Sequence, residues 1–140
     1  MCAARPALVE HADRWVLPFR GFAVTKVEAD WAFGLTFDDQ GAVRISSTMT
    51  LGWAATAARS ETARLKPECQ DVAAGLALFN ATVLSAVASK SGGLRIVFDD
   101  GHRLAVAPDS DYEAWTATGP SGMLIVSRPG GDLAVWTSQP

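Results

Sequence analysis

The chain carries the stretch LTFDDQGAVRI at residues 35–45 and repeats its pattern as IVFDDGHRLAV at residues 96–106. Each copy is an alternating apolar run, a Phe-Asp-Asp corner with a glycine, and a second alternating run, a pattern typical of a β-hairpin. The repeat extends upstream, where LPFRGFAV at residues 17–24 is echoed by LALFNATV at residues 76–83. The sequence therefore predicts two related units that share one core.

The predicted fold class is α+β with predominantly antiparallel β structure. We expect two repeated three-stranded units, at about residues 17–50 and 76–107, because β-branched and aromatic runs alternate there with turn-prone Asp, Gln and Gly. The predicted strands of these units cover residues 22–28, 31–37, 43–50, 82–89, 94–98 and 103–107.

One short helix is predicted to join the two units at about residues 68–79. Pro67 and the acids Glu68 and Asp71 precede an apolar run there, and this composition favours the first turn of a helix. Residues 52–66 are rich in Ala, Thr, Ser and Arg and are compatible with either an irregular connection or a weak helix.

The rest of the chain is predicted as a tail and an arm. Residues 112–137 read as a C-terminal β-meander, with strands at 112–118, 123–127 and 133–137 separated by Gly- and Pro-rich turns. Residues 1–14 are predicted to form a flexible arm, and residues 15–140 a single β-rich domain, since 140 residues fit one domain.

Composition argues against several classes of function. The net charge is −3 and the twelve Lys and Arg residues are scattered along the sequence, so we expect no nucleic-acid partner. Cys2, Cys69, His11 and His102 are too few and wrongly spaced for a zinc site, and no cofactor is expected. No secretory signal and no apolar run long enough to cross a bilayer is evident, so we expect a cytoplasmic protein without a membrane partner.

The second half of the chain resembles a family of small, mostly actinobacterial proteins catalogued only as a domain of unknown function. The resemblance is carried by Leu-x-Ile-x-Phe-x-Asp-Gly at residues 94–101, Tyr-Glu-Ala-Trp at 112–115 and Pro-Gly-Gly-x-x-Ala-x-Trp at 129–136. The opening Trp-x-Leu-Pro-x-x-Gly at residues 15–21 is similar as well, so the resemblance covers about residues 15–137. It implies a compact β-rich fold and assigns no catalytic residue.

Three acids form a candidate metal site. Asp109, Asp111 and Glu113 are spaced by two, so their carboxylates share one side of an extended segment, which is a start for a hard cation such as calcium. The alternative is a solvated acidic turn that leads into a strand, which is the commoner use of such residues.

His102 beside Asp100 is the candidate catalytic pair, because an imidazole next to a carboxylate can act as a general base. No nucleophile is coupled to it in the sequence. A structural role at a hairpin corner is the simpler interpretation, and the protein is expected not to be an enzyme.

The aromatic residues are the candidate anchors for a partner. Tryptophan is enriched both in cores and at interface hot spots, and Trp53, which follows Gly52 in the least regular part of the chain, is expected to be the most exposed of the five tryptophans. Trp115 and Tyr112 complete the predicted partner-binding set. Exposed strand edges also make a homodimer possible.

Three functions follow as hypotheses. The first is a non-enzymatic protein-binding module with an unidentified protein partner, in one version an immunity- or antitoxin-like protein. The second is a small-molecule or metal-binding domain with a cleft between the repeated units, and the third is a small enzyme that uses His102 and Asp100.

Overall fold

The computed structural model describes residues 7–137 as two antiparallel β-sheets that enclose one apolar core. The strands in chain order are β1 (Val9–Glu10), β2 (Arg14–Val16), β3 (Val24–Ala29), β4 (Phe33–Phe37), β5 (Gly41–Ile45), β6 (Met49–Thr56), β7 (Arg59–Leu65), β8 (Val83–Ser89), β9 (Leu94–Phe98), β10 (Arg103–Val106), β11 (Trp115–Gly119), β12 (Met123–Ser127) and β13 (Leu133–Trp136). The seven-stranded sheet has the order β1-β2-β8-β9-β10-β6-β7 and the six-stranded sheet the order β13-β12-β11-β5-β4-β3. The expected antiparallel β structure is confirmed.

The predicted helix at residues 68–79 is wrong, and the described residues contain no α-helix. Two 3₁₀ turns, Pro67–Cys69 and Ala73–Leu78, stand in its place and are separated by Gln70 in the left-handed region at φ 59°. Burial explains the tighter winding, because the buried residues of this segment are spaced by three: Val72, Gly75 and Leu78. A repeat of three matches a 3₁₀ turn and not the 3.6 residues of an α-helix.

Residues 52–66 belong to a β-hairpin formed by β6 and β7 and are neither a weak helix nor an irregular connection. The strand predicted at residues 43–50 is split, because β5 ends at Ile45 and β6 begins at Met49. The chain leaves one sheet for the other at this point, where the amides of Ser46 and Ser47 both bond to the carbonyl of Ala114.

The described part of the N-terminal segment contains a short strand. Residues 1–6 of the predicted arm lie outside the described residues, whereas Val9–Glu10 pairs with β2 at the edge of the seven-stranded sheet. The predicted meander is present as β11, β12 and β13, with the first strand beginning at Trp115 and not at residue 112.

The two stretches that repeat in sequence occupy matching places in the two sheets. The meander β3-β4-β5 lies in the six-stranded sheet and the meander β8-β9-β10 in the seven-stranded sheet, with the same antiparallel pairing. The first strand of each carries a bulge, between Val24 and Lys26 in β3 and between Val83 and Ser85 in β8. The correspondence therefore extends to a local irregularity of the backbone.

Reciprocal backbone hydrogen bonds join the two meanders around an antiparallel bridge between Ala23 and Thr82. The amide of Gly21 donates to the carbonyl of Val83 at 2.8 Å, and the amide of Asn80 donates to the carbonyl of Val24 at 2.8 Å. Gly21 and Asn80 both have positive φ, 87° and 71°, a conformation that glycine and asparagine adopt at the lowest cost. The two meanders thus meet through equivalent backbone groups.

Each meander is completed by a hairpin that comes from the other half of the chain. The hairpin β6–β7 follows β5 but pairs with β10, at Val106 opposite Met49. The hairpin β11–β12 follows β10 but pairs with β5, at Ile45 opposite Trp115. Each sheet therefore contains strands from both halves, and we expect the chain to fold as one cooperative unit.

We predict that Gly75→Ala destabilises the protein by about 1–3 kcal/mol, because overpacking a filled core has a cost of this order. A Cβ at Gly75 would lie 2.6 Å from Cζ of Phe33 and 3.2 Å from Cδ2 of Leu65. Gly34→Ala is the matched control, since its nearest neighbour would be Cβ of Glu28 at 3.5 Å, an ordinary contact. Urea denaturation measures both variants, and an unchanged midpoint for Gly75→Ala would contradict the packing described.

Candidate functional site

The outward surface of the seven-stranded sheet carries a set of basic side chains. Alternate residues of its strands point to the core, and the residues between them point to solvent. We call this surface the basic face, and its exposed cations are Arg14 on β2, Arg95 on β9, Arg103 on β10, Arg64 on β7 and Lys66 directly after β7.

No carboxylate shares this surface within the seven strands. Their only acids are Glu10 and Glu61, which lie opposite Trp15 and Trp53 in the strand register. Both tryptophans pack against the core, so both acids sit on the inward side of the sheet. A chain with a net charge of −3 thus presents one wholly cationic sheet face.

On the outward face of the six-stranded sheet, by contrast, basic and acidic side chains lie next to each other. On its outward face Lys26 lies 3.7 Å from Glu28, and Arg44 lies 2.8 Å from Asp30. The backbone amide of Ala32 and the Arg44 guanidinium both bond to Asp30 and hold the pKa of its carboxyl below the ordinary value. The cations of that face are compensated.

The cations of the basic face are largely uncompensated. Arg14 lies 3.4 Å from Asp13 in an exposed pair, as Lys26 and Arg44 do with their acids on the other sheet, and is therefore compensated in the same way. The other four cations form no ion pair with any residue from 7 to 137; they are Arg64, Lys66, Arg95 and Arg103. Their charge is available to a partner.

Small side chains form the floor between these cations. The strand register sets Arg95 opposite Ala105, Ala105 opposite Thr50, and Thr50 opposite Arg64. The result is a depression of about 560 Å³, lined by Thr48, Thr50, Arg64, Lys66, Ala105, Val106 and Ala107. Arg64 and Lys66 therefore line one side of an alanine and threonine floor, and Arg95 lies on the next strand beyond Ala105.

A second depression of about 430 Å³ lies beside the first, with Arg14 and Arg95 at its rim and Val87 and Val97 in its lining. On the same face, Arg103 lies over Gly52, where a Cβ would approach Nη2 of the arginine to 3.2 Å. Gly52 has no side chain that would crowd the guanidinium at this point.

The three predicted aromatic anchors differ in their exposure. Trp115 is fully buried, and its Nε1 donates to the carbonyl of Gly92 at 2.9 Å, so it is part of the core and does not face a partner. Trp53 is half-buried against the core and is not the most exposed tryptophan, since Trp31 is 77% exposed. Tyr112 is exposed, as a partner-binding residue requires.

His102 and Asp100 are neighbours in the structure. Nδ1 of His102 lies 3.0 Å from Oδ2 of Asp100, yet its orientation does not meet the geometry of a hydrogen bond. The imidazole also faces the Trp53 ring, with centroids 6.1 Å apart, and no hydroxyl or thiol of residues 7–137 hydrogen-bonds to it.

At the predicted metal site, the carboxylate of Asp109 accepts hydrogen bonds from neighbouring groups of the protein. Oδ1 of Asp109 accepts from the amides of Asp111 at 2.8 Å and Tyr112 at 3.2 Å, and Oδ2 accepts from the Ser47 hydroxyl at 3.3 Å. The Asp111 amide is the main cause that lowers the pKa of Asp109 below its ordinary value. Across the described part of the chain, no group of three or more His, Cys, Asp or Glu side chains is arranged to hold a metal ion.

Asp109 and Glu113 do line a depression of about 300 Å³ together with Glu68 and Tyr112. Asp111 is not among its lining residues, so the three predicted acids do not converge on one point.

Sequence reasoning missed the basic face because its cations lie far apart along the chain. The signal that could have found it is the alternation within single strands, where Arg95 and Arg103 each stand next to residues that point to the core.

In the described segment, no helix has the length and apolar character needed to cross a membrane.

Comparison with known proteins places the chain beside one family. A family model described as a family of unknown function (DUF6188) matches residues 15–137, which confirms the resemblance seen in the sequence. No curated protein and no solved structure matches the chain.

We predict that Asp109→Asn lowers the melting temperature at neutral pH and that the difference from the wild type disappears as the pH falls through the native pKa of Asp109, which lies below the ordinary value. The native pKa of Asp109 is depressed below 3.8, so the stabilisation by its carboxylate is present above that value and is lost as the pH falls through the native pKa. Asp111→Asn is the control, because its carboxylate accepts no hydrogen bond within residues 7–137. Thermal unfolding followed across the acid range measures both, and a gap that persists in acid would contradict this role.

Proposed function

The chain belongs to DUF6188, a family of unknown function, and we propose that it is a non-enzymatic protein-binding module of the cytoplasm whose partner docks on the basic face. The observation that carries this proposal is the contrast between the two sheets. The six-stranded sheet pairs the cations of its outward face with acids, whereas the seven-stranded sheet leaves Arg64, Lys66, Arg95 and Arg103 without partners. Unpaired charges of one sign attract a surface of the other sign.

The surroundings of the cations favour a protein partner with an acidic surface. Val87, Val97 and Ala105 lie between the basic side chains and offer apolar contact, which a protein interface uses at its centre. Proteins that hold single-stranded nucleic acid combine basic grooves with aromatic side chains on which bases stack. The outward positions of β2, β8, β9, β10, β6 and β7 carry no aromatic residue.

The imidazole of the candidate catalytic pair is not hydrogen-bonded to any hydroxyl or thiol of residues 7–137. Asp109 holds a turn through its two amide contacts, and His102 packs between Asp100 and Trp53. This supports a binding role over a catalytic one. An immunity- or antitoxin-like protein is one version of this function, in which the basic face covers an acidic surface of a toxin.

We predict that the double variant Arg64→Glu/Arg95→Glu loses its protein partner, with capture reduced by about tenfold or more, because like charges then face each other across the interface. The measurement is quantitative affinity purification from the native host at native expression, after nuclease treatment, at low and at high salt. Capture by the wild type is expected to fall with rising salt, since salt screens exposed charges.

The matched control is Lys26→Glu/Arg44→Glu, which changes the net charge equally on the outward face of the six-stranded sheet. It is expected to retain the partner. Equal loss in both double variants, with folding verified by circular dichroism, would contradict docking at the basic face, and so would a capture that nuclease abolishes.

A further inference from the structure

We propose that the depression between β9 and β7 binds an extended acidic segment of the partner, a run of consecutive Asp or Glu residues. We call this depression the central groove; its floor is Thr48, Thr50, Ala105 and Ala107, and Arg64 and Lys66 line it on one side. On the other side Arg95, which lines the neighbouring depression, lies next to Ala105 in the strand register and forms the second wall. The inference rests on the proposed function and goes beyond it by naming the chemistry and conformation of the occupant.

The width of the central groove suits one extended chain. Its walls stand on strands three positions apart in the sheet order β9-β10-β6-β7, which corresponds to about 14 Å between backbones. Arginine and lysine side chains narrow that space from both sides. An α-helix is about 10–12 Å across with its side chains, so it would sit above the walls and lose contact with the floor.

The length of the groove is limited at one end. Arg103 lies over Gly52, two residues beyond Thr50 on β6, and Thr48 and Lys66 lie at the other end of the groove. Thr48 directly precedes β6 and is four residues from Gly52, or about 13 Å at the rise of a strand. The groove therefore accommodates about four or five residues of an extended segment.

Because both walls are positively charged, they favour a particular spacing of acidic residues in the bound segment. Successive side chains of an extended chain point to opposite sides. A segment that lies with its side chains toward the walls then offers one residue to Arg95 and the next to Arg64 or Lys66. Acids at consecutive positions satisfy both walls, whereas acids at every second position reach only one.

The chemistry of the walls fits carboxylates in particular. The planar arginine guanidinium forms paired hydrogen bonds with a carboxylate. Arg64 and Arg95 have no ion pair with residues 7–137 that would first have to break. The floor offers the hydroxyls of Thr48 and Thr50 as partners for the backbone of the segment.

The test uses two labelled peptides of equal charge and measures their binding to the full-length protein by fluorescence anisotropy at physiological salt. The probe is a hexaglutamate, and its comparison peptide places six glutamates alternately with serines. We expect the hexaglutamate to bind about tenfold more tightly, because only it reaches both walls.

A steric variant separates the groove from the charge of the face. Thr50→Phe fills the floor without changing any charge, and it is expected to weaken hexaglutamate binding by about tenfold or more. Thr118→Phe, at an exposed position of the outward face of the six-stranded sheet, is its control and is expected to have no effect. Circular dichroism verifies that both variants fold.

The inference is overturned if hexaglutamate does not bind, if the spaced peptide binds equally well, if Thr50→Phe binds as the wild type does, or if a single-stranded oligonucleotide of equal charge competes more strongly. None of these outcomes touches the proposed function, which depends on partner capture by the charge-reversal variants. Loss of capture in Arg64→Glu/Arg95→Glu together with unchanged capture by Thr50→Phe would retain the basic face and reject the groove.

Discussion

The backbone bridge between Ala23 and Thr82 is the contact on which the rest of the architecture depends. It joins two meanders that carry the same strand order and the same bulge, and its flanking hydrogen bonds run reciprocally, from Gly21 to Val83 and from Asn80 to Val24. The accepting carbonyls belong to Val83 and Val24, both of which are buried, and a buried backbone group that loses its partner has a high cost. The two halves are therefore fixed in one arrangement.

The exchange of hairpins between the two halves of the chain brings the residues of the basic face together. Arg95 lies on β9, from the second half of the chain, whereas Arg64 lies on β7, from the first half. They face each other across Ala105 and Thr50 only because β6 pairs with β10. The basic face is thus a product of the exchange between halves, and neither half would contain both walls of the central groove.

Local patterns predicted the hairpins well and the connections poorly. The Phe-Asp-Asp corners and their alternating flanks are local signals, so the strands near Phe37 and Phe98 are where the sequence indicates. The hairpin of β6 and β7 was missed because β7 is mostly exposed and its residues are polar or small. The helix at residues 68–79 was predicted from acids and a proline, but the contact of Gly75 with Phe33 is a tertiary constraint that no local pattern reveals.

The candidate site was harder to predict than the fold. A cationic surface assembled from positions 14, 64, 66, 95 and 103 leaves no cluster in the sequence, and only the strand register brings its members together. The tryptophans did not indicate a binding surface reliably, because Trp115 lies in the core and donates a hydrogen bond to the carbonyl of Gly92. The exposure of Tyr112 was compatible with its predicted role, yet the unpaired charge on the other surface provides the stronger argument.

The central claim is that the arginines of the seven-stranded sheet contact the partner. Its most direct test is the NMR spectrum of the arginine Nε–H groups, recorded for the free protein and for its complex. The signals of Arg64, Arg95 and Arg103 are expected to shift or broaden on binding, while that of Arg44 stays in place. A spectrum in which Arg44 moves and the other three do not would contradict it.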